Sequence, residues 1–489
     1  MTLFFTEMWE RFSYYGMRAL LTVFMVTPIA AGGLEYSNKK AGLIYGTYTM
    51  SVYMLSIPGG FIADNFLGSR MSVLYGGIII AAGHFSLAFQ SQTMFFAGLV
   101  MIALGTGLLK PNISAMVGSL YTTNDERRDA GFSIFYMGIN LGAFISPLIT
   151  GYLAQSGGWR ERLSGWGMDP NHSWHWGFAA AGVGMTIGLF TYFLNNKGIQ
   201  HVGNPPPDSA PRPWKKLGIV ILGTVGFYGI VRLSDQDGYN WLRSIFLVLP
   251  IGTILWLVIR GDINSQRMAA ILIFSVAVMI FWAVFEQAGS TIALFSEQLT
   301  DRTLPNNGNI NLFGLNLGLS SPFPSAWFQS VNSLFVITLA PLFAWIWVKL
   351  GSKQPSSPVK FALGLVFLVL SFVLMVPAAR LTAHGLVSPF WIVGLFLLQT
   401  IGELCISPVG LSTLTKLSTP NLVGFVMGIW FLAAALGNKL AGVLGGDFDA
   451  KDPSALAHFF SQQAIWVTGF TIVLLALVPW IRKLMCGVR

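Results

Sequence analysis

The chain has 489 residues, 54% of them hydrophobic and only 10% charged, with a mean hydropathy of +0.63. A water-soluble domain carries about 25% charged residues, and no single core encloses this much apolar surface, so lipid must solvate most of it. The net charge of +9 would suit nucleic acid on a soluble protein, but the topology derived below accounts for it.

About 20 mostly apolar residues suffice to cross a bilayer as a helix. Fourteen such runs are predicted: 4–30, 41–62, 72–91, 93–115, 130–155, 174–195, 217–232, 241–260, 268–298, 323–350, 358–378, 388–413, 421–446 and 462–485. They lack the alternating period of a membrane barrel. The fold class is therefore an all-α membrane protein. The chain begins almost at its first span, so a short native segment ahead of it is expected to be missing. No cleavable signal is read there, because the early Glu and Arg would spoil its apolar region.

The first span carries Glu7, Glu10, Arg11 and Arg18 in a helix otherwise rich in Phe, Leu, Met and Val. At 100° per residue, Glu7, Arg11, Tyr14 and Arg18 fall within roughly 60° of one another. Such a narrow polar stripe faces a polar interior. Between spans two and three runs Gly60-Phe-Ile-Ala-Asp64-Asn-Phe-Leu-Gly68-Ser-Arg70. Gly68 permits a tight turn, and Asp64 is suited to meet a helix N-terminus or a basic neighbour. In span four Lys110 stands beside Pro111, where a broken helix is expected.

Spans one to six end near Asn196, and the Pro-rich, basic stretch from Pro205 to Lys216 cannot be a span. The pair 217–232 and 241–260 follows as a hairpin, and six more spans complete a 6 + 2 + 6 plan. The divisions are 1–196, 197–267 and 268–489. In the ninth span Trp282, Glu286 and Ser290 stack on one helical face, with Glu297 toward the outer end. In the twelfth, Glu403 and Ser407 share a face, and Pro408 frees the carbonyl of Leu404. The loop from Lys349 to Lys353, which corresponds to the Asp64 loop, keeps only basic residues and a Gly, so the internal duplication is weak there.

A charge at mid-bilayer costs about 2.5–3.5 kcal/mol on the insertion scale, so Glu7, Glu10, Arg11, Arg18, Lys110, Glu286 and Glu403 must pair or line a wet cavity. The first-half group of Arg11, Arg18, Lys110, Glu7 and Glu10 is positive by one, and the second-half pair Glu286 and Glu403 is negative by two. Opposed clusters suit a zwitterionic solute, or salt bridges that rearrange. Static pairing of all seven is the weaker reading, because buried pairs rarely outdo apolar packing. Lys439, near the end of span thirteen, is read as snorkelling outward.

An even span count puts both termini on one side. That side then holds sixteen of the 29 Lys and Arg against nine on the other, so the positive-inside rule places both termini in the cytoplasm. Cys405 and Cys486 have no metal spacing and no mutual disulfide, so no metal, cofactor or redox chemistry is expected. His172, His175, His201, His384 and His458 fall in loops or at ends. HExxH, GxSxG and GxxxxGK[ST] do not occur. An enzyme or a nucleotide-driven pump is disfavoured, and an ion gradient remains as the energy source.

Four groups of residues carry a family resemblance. Glu7-Met-Trp-Glu10-Arg11-Phe12-Ser-Tyr14-Tyr15 resembles the E-x-x-E-R-F-x-Y-Y motif of the proton-dependent oligopeptide transporter (POT) family of the major facilitator superfamily. Phe135-Tyr136-Met-Gly-Ile-Asn140-Leu-Gly142 is similar to its F-Y-x-x-I-N-x-G motif. Gly107-Leu-Leu-Lys110-Pro111-Asn112 and Gly402-Glu403-Leu-Cys-Ile-Ser407-Pro408 also match. The Gly60–Arg70 loop resembles the superfamily's G-x-x-x-D-x-x-x-G-x-R/K, an ordinary charged turn being the alternative.

The resemblance implies two six-helix bundles plus a two-helix insertion, in a symporter that imports di- and tripeptides with protons by alternating access. The same fold carrying nitrate or another small organic anion is the alternative. Arg11 and Lys110 would meet the peptide carboxylate, and Glu403 and Asn332 the α-amine. Tyr14, Tyr15, Tyr48, Asn140, Gln287, Ser407 and Trp430 would complete the site. Glu7, Glu10 and Glu286 would carry or relay the proton, with Arg11 and Arg18 as partners. An arginine neighbour favours the ionised carboxylate and desolvation the neutral one, so breaking the pair would switch Glu286 between release and capture. Lys110 with Glu403, and Asp64 with Arg70, are the gate residues, and an outer latch of Lys39 or Lys40 with Glu297 is conceivable. Several animal members of the family carry a His on span two that this chain lacks, its nearest being His84 on span three. The expected partners are peptides, protons and membrane lipid, with no nucleic acid. A monomer in a bacterial inner membrane is expected.

Overall fold

The structure is a computed structural model, and it describes residues 1–121, 127–207, 212–234, 264–304, 309–312, 315–318, 321–418 and 422–487. Its helices are α1 (Thr2–Val26), α2 (Asn38–Met54), α3 (Ser56–Ile62), α4 (Gly68–Leu87), α5 (Gln92–Ser119), α6 (Arg127–Gln155), α7 (Gly157–Gly165), α8 (Ser173–Leu194) and α9 (Trp214–Ser234). Then come α10 (Ser265–Phe285), α11 (Thr291–Gln298), α12 (Gln329–Leu350), α13 (Ser357–Leu381), α14 (Phe390–Leu417), α15 (Val423–Gly445) and α16 (Pro453–Leu484). Each of the expected spans except 241–260, which lies outside the described residues, coincides with one of these helices or a pair of them.

Length and hydropathy alone pick out eleven candidate spans among the described residues. The difference is physical. The four charges of α1 depress its hydropathy, and α2 to α4 run on as one helical stretch from Asn38 to Leu87. One element departs from an all-helical fold: β1 (Asn309–Leu312) and β2 (Leu315–Gly318) form an antiparallel hairpin, Asn309 opposite Gly318. Helix starts follow local chemistry. Ser37 accepts from the Lys40 amide at 3.3 Å ahead of α2, and Asp452 accepts from Ser454 and Ala455 at 2.9 and 3.0 Å ahead of α16, with Pro453 in the first turn.

The chain clusters into two compact units. The first comprises Met1–Ala41, Ser51–Thr224 and Ala288–Ile337; the second comprises Gly42–Met50, Val225–Gln287 and Thr338–Arg489. Within lipid, helices associate through close backbone approach at small residues rather than by expelling water. In the first unit α4 and α5 meet in this way. A Cβ on Gly76 would sit 2.6 Å from the Gly105 carbonyl, and one on Gly105 2.6 Å from the Gly76 carbonyl. Leu3, Ile80, Leu109, Ile113 and Met116 fill the core around that crossing. In the second unit, Gly364 on α13 and Gly402 on α14 make the equivalent approach, 2.7–2.8 Å from Cβ to carbonyl.

Two expectations are corrected. The ninth span is not one continuous helix. It stops at Phe285, passes through a tight turn over Glu286–Gly289, and resumes at Thr291. Trp282, Glu286 and Ser290 therefore do not stack along one face. A break inside a membrane frees carbonyls that need donors, and three side chains supply them. Tyr45 donates to the Glu286 carbonyl at 3.3 Å, Thr22 to that of Gly289 at 2.6 Å, and Gln329 to that of Ala288 at 2.6 Å. Conversely, α5 is helical straight through Pro111, and α14 through Pro408, so span four is not broken at Lys110.

Candidate functional site

In the first unit the motif residues of α1 converge on one guanidinium. Arg11 Nε lies 2.9 Å from Glu7 Oε1 and 2.5 Å from Glu10 Oε2. The first contact is a one-turn (i, i+4) pair; the second is between adjacent residues. All three are buried, Glu10 completely. Two carboxylates thus share one cation, which leaves the triad one negative charge in excess of neutrality. Aromatic faces extend the stripe. The Arg11 guanidinium lies 5.6 Å from the Tyr14 ring and that of Arg18 lies 5.7 Å from the Tyr15 ring. Tyr14 and Tyr15 meet edge to face at 5.2 Å.

The same unit holds Lys110, partly buried on α5, with its ammonium 3.7 Å over the Tyr53 ring. That arrangement is a cation–π contact of the close kind. Asn140 on α6 is buried, and its amide donates to the Tyr136 carbonyl at 3.0 Å. Asn332, partly exposed, sits in the first turn of α12. Gly142 lets α6 approach α1, since a Cβ there would fall 2.1 Å from the Met8 carbonyl. This is the physical need behind the glycine that ends the Phe135–Gly142 motif.

In the second unit Glu286, 5% exposed, sits at the break after α10. The Tyr45 hydroxyl on α2 reaches its carboxylate at 3.5 Å as well as its carbonyl. Gln287 is fully buried and commits its amide to the Ala283 carbonyl at 3.1 Å and to Gln463 at 2.5 Å. Glu403 and Ser407 are partly buried on α14. Trp430 on α15 is buried against Gly410, where a Cβ would come within 2.3–2.4 Å of the indole. Tyr48 is buried on α2.

The expected gate and latch residues divide. Asp64 is exposed in the π-helical segment Ala63–Leu67 that joins α3 to α4, and Arg70 gives its guanidinium to the Gln200 carbonyl at 3.0 Å, not to Asp64. Gly68 adopts φ +74 there, and a Cβ would fall 2.5 Å from Asn204 and Pro205, so the linker after α8 lies directly over this loop. The outer latch is overturned. Glu297 is taken by Arg302 at 3.0 Å and Gln155 at 3.1 Å, while Lys40 lies 3.5 Å over the Tyr36 ring. Burial lowers the pKa of nearby Arg160, and the Glu297 charge acts the other way. Lys439 does not snorkel: it is 5% exposed and donates to Thr47 at 2.7 Å.

Tyr45, Tyr53 and Thr47 were missed. Tyrosines near span ends are usually interfacial anchors, so only the small-residue pair Gly42 and Gly46 signalled that this stretch of α2 packs on something. Among the described residues no group of His, Cys, Asp and Glu is arranged to hold a metal ion.

Comparisons with known proteins point to one family. A peptide transporter of Yersinia enterocolitica is 37% identical over 99% of this chain and 94% of its own length. A di-/tripeptide transporter of Lactococcus lactis subsp. cremoris is 36% identical over 100% of this chain and 96% of its own. Among solved structures, a mutant peptide transporter in complex with alafosfalin superposes with a TM-score of 0.84 at 36% identity, covering 99% of this chain and 95% of that one. The family model described as POT family matches residues 70–457. The chain is thus a multi-pass membrane protein that belongs to the POT family.

Proposed function

We propose that the chain imports di- and tripeptides together with protons by alternating access across a bacterial plasma membrane, acting as a monomer with both termini in the cytoplasm. The observation that carries this is the buried triad of Glu7, Glu10 and Arg11. Two carboxylates around one guanidinium have room for one proton, and a peptide carboxylate arriving at Arg11 competes directly with them. Peptide binding and proton uptake then draw on the same cation. The names of the relatives, a peptide transporter and a di-/tripeptide transporter, support peptides as the solute.

In this reading Arg11 and Lys110 receive the peptide carboxylate, and Glu403 with Asn332 receives the amine. Tyr14, Tyr15, Tyr48, Asn140, Ser407 and Trp430 surround the backbone and side chains, and Gln287 supports the turn that bears Glu286. Glu7, Glu10 and Glu286 handle the proton, with Arg18 as a partner. Lys110 and Glu403 serve the cytoplasmic gate, with Asp64 and Arg70 at the cytoplasmic loop. The working parts are 1–196 and 268–489, joined by 197–267. Uptake of labelled dialanine into proteoliposomes under an imposed proton gradient, competed by nitrate and small organic anions, tests the assignment. Competition by peptides alone is expected, and competition by the anions alone would refute it.

A further inference from the structure

The segment Ala288–Ile337 follows the linker in the chain yet belongs to the first compact unit, and a stripe of α6 grips it. Phe144, Leu148, Gly151 and Gln155 step by four, three and four residues toward the C-terminal end of α6, so they share one face. The Ser330 hydroxyl donates to the Phe144 carbonyl at 2.7 Å, and the Trp327 indole to that of Leu148 at 3.0 Å. Gly151 leaves a flat place beyond them, where a Cβ would fall 2.9 Å from that of Ala326.

Gln155, the last residue of α6, closes the stripe. Its amide nitrogen donates to Glu297 at 3.1 Å and to the Ser325 hydroxyl at 2.9 Å, and its amide oxygen accepts from the Ala326 backbone amide at 3.1 Å. The short turn Ser325–Phe328 starts after Pro324, which offers no side-chain cap, so Gln155 caps it from another helix. Glu297 is also held from its own side. Arg302 pairs with its carboxylate at 3.0 Å, donates to its carbonyl at 3.1 Å and to the Phe323 carbonyl at 2.7 Å. The Phe323 amide returns a bond to the Arg302 carbonyl at 2.9 Å. Glu297, Arg302 and Phe323 are therefore one body.

This division makes the contact separable. If α6 draws away, Glu297 keeps Arg302, and the Phe144 and Leu148 carbonyls keep their helical partners. Only neutral groups exchange a protein partner for water. No charge is stranded, whereas a buried charge deprived of its partner is strongly destabilising. We infer that Gln155 is the outer latch of the transport cycle, a positioning residue whose three hydrogen bonds hold the outer side shut and are broken and remade once per cycle. It takes the place of the expected pairing of Lys39 or Lys40 with Glu297. This rests on the alternating-access reading above.

The test follows a thiol in purified full-length protein in detergent, with neither peptide nor proton gradient present. Ser330 is 3% exposed and faces α6. Ser330→Cys in a chain lacking Cys405 and Cys486 is the parent, and its rate of reaction with a hydrophilic maleimide reports how often the seam opens. Gln155→Leu removes all three bonds and is expected to raise that rate about tenfold, the size of one hydrogen bond to a charged group. Gln155→Glu still accepts from Ser325 and Ala326 but sets carboxylate against carboxylate at Glu297, and is expected to raise it as much. Adding Glu297→Gln to Gln155→Glu rebuilds the pair with donor and acceptor exchanged, and is expected to restore the parent rate. A second reporter, Ser72→Cys, fully buried on α4, is expected to label at one rate in every variant. Parent-like labelling of Gln155→Leu, no reversal by Glu297→Gln, or faster labelling at both reporters overturns the latch. Failure of dialanine uptake would refute the peptide reading and leave this result standing.

Discussion

In the proposed mechanism Arg11 is the residue on which carboxylate recognition and proton handling meet, since Glu7 and Glu10 both lie against it. Arg11→Ala is expected to weaken dipeptides by roughly 10- to 150-fold, the span of one charged hydrogen bond, and C-terminal amides much less. Equal loss on both would remove Arg11 as the carboxylate anchor. Glu286→Gln keeps the shape of the turn after α10 but cannot take or give a proton. Gradient-driven uptake should vanish while peptide counterflow persists; loss of both in a folded protein would contradict a purely proton-handling role. Lys110→Ala should stop transport in either mode, and normal turnover would exclude it as ligand or gate. These groups were legible in the sequence because an ionised side chain in an apolar helix has few innocent explanations. The ties made by Tyr45, Tyr53 and Thr47 were not. A tyrosine or threonine is unremarkable in a span, and its partner is set by packing between helices distant in sequence.

At the level of elements, hydropathy located the helices well because bilayer thickness fixes their length. It was silent on where they break. The ninth span stops at Glu286 because Thr22, Tyr45 and Gln329 are there to satisfy the freed carbonyls, and none of these is near it in sequence. Pro111 suggested a break, yet α5 runs on through it, as α14 does through Pro408. A proline removes one hydrogen bond and need not end a helix whose other groups remain paired. Glycine crossings are the elements' other hidden feature. A Cβ on Gly59 would fall 2.0 Å from the Gly107 carbonyl, so Gly59→Leu forces α3 from α5. Overpacking of this kind costs about 1–3 kcal/mol. The apparent melting temperature in detergent should fall; Gly60→Leu, where nothing lies within 4 Å, should leave it unchanged.

For the whole molecule, the composition decided the environment and the family motifs decided the chemistry. The clustering of Gly42–Met50 with the second unit and of Ala288–Ile337 with the first was not legible in the sequence, because contacts between segments distant in the chain set it. The central claim is energetic: a proton moving inward drives the peptide with it. A membrane potential of 100 mV supplies about 2.3 kcal/mol per charge, which is roughly 50-fold accumulation at tenfold per 1.4 kcal/mol. The measurement is accumulation of labelled dialanine in proteoliposomes under an imposed, inwardly directed proton gradient, with and without an uncoupler. Accumulation well above the external concentration that collapses to equilibrium with the uncoupler is the predicted result. Equal uptake in both conditions would contradict it.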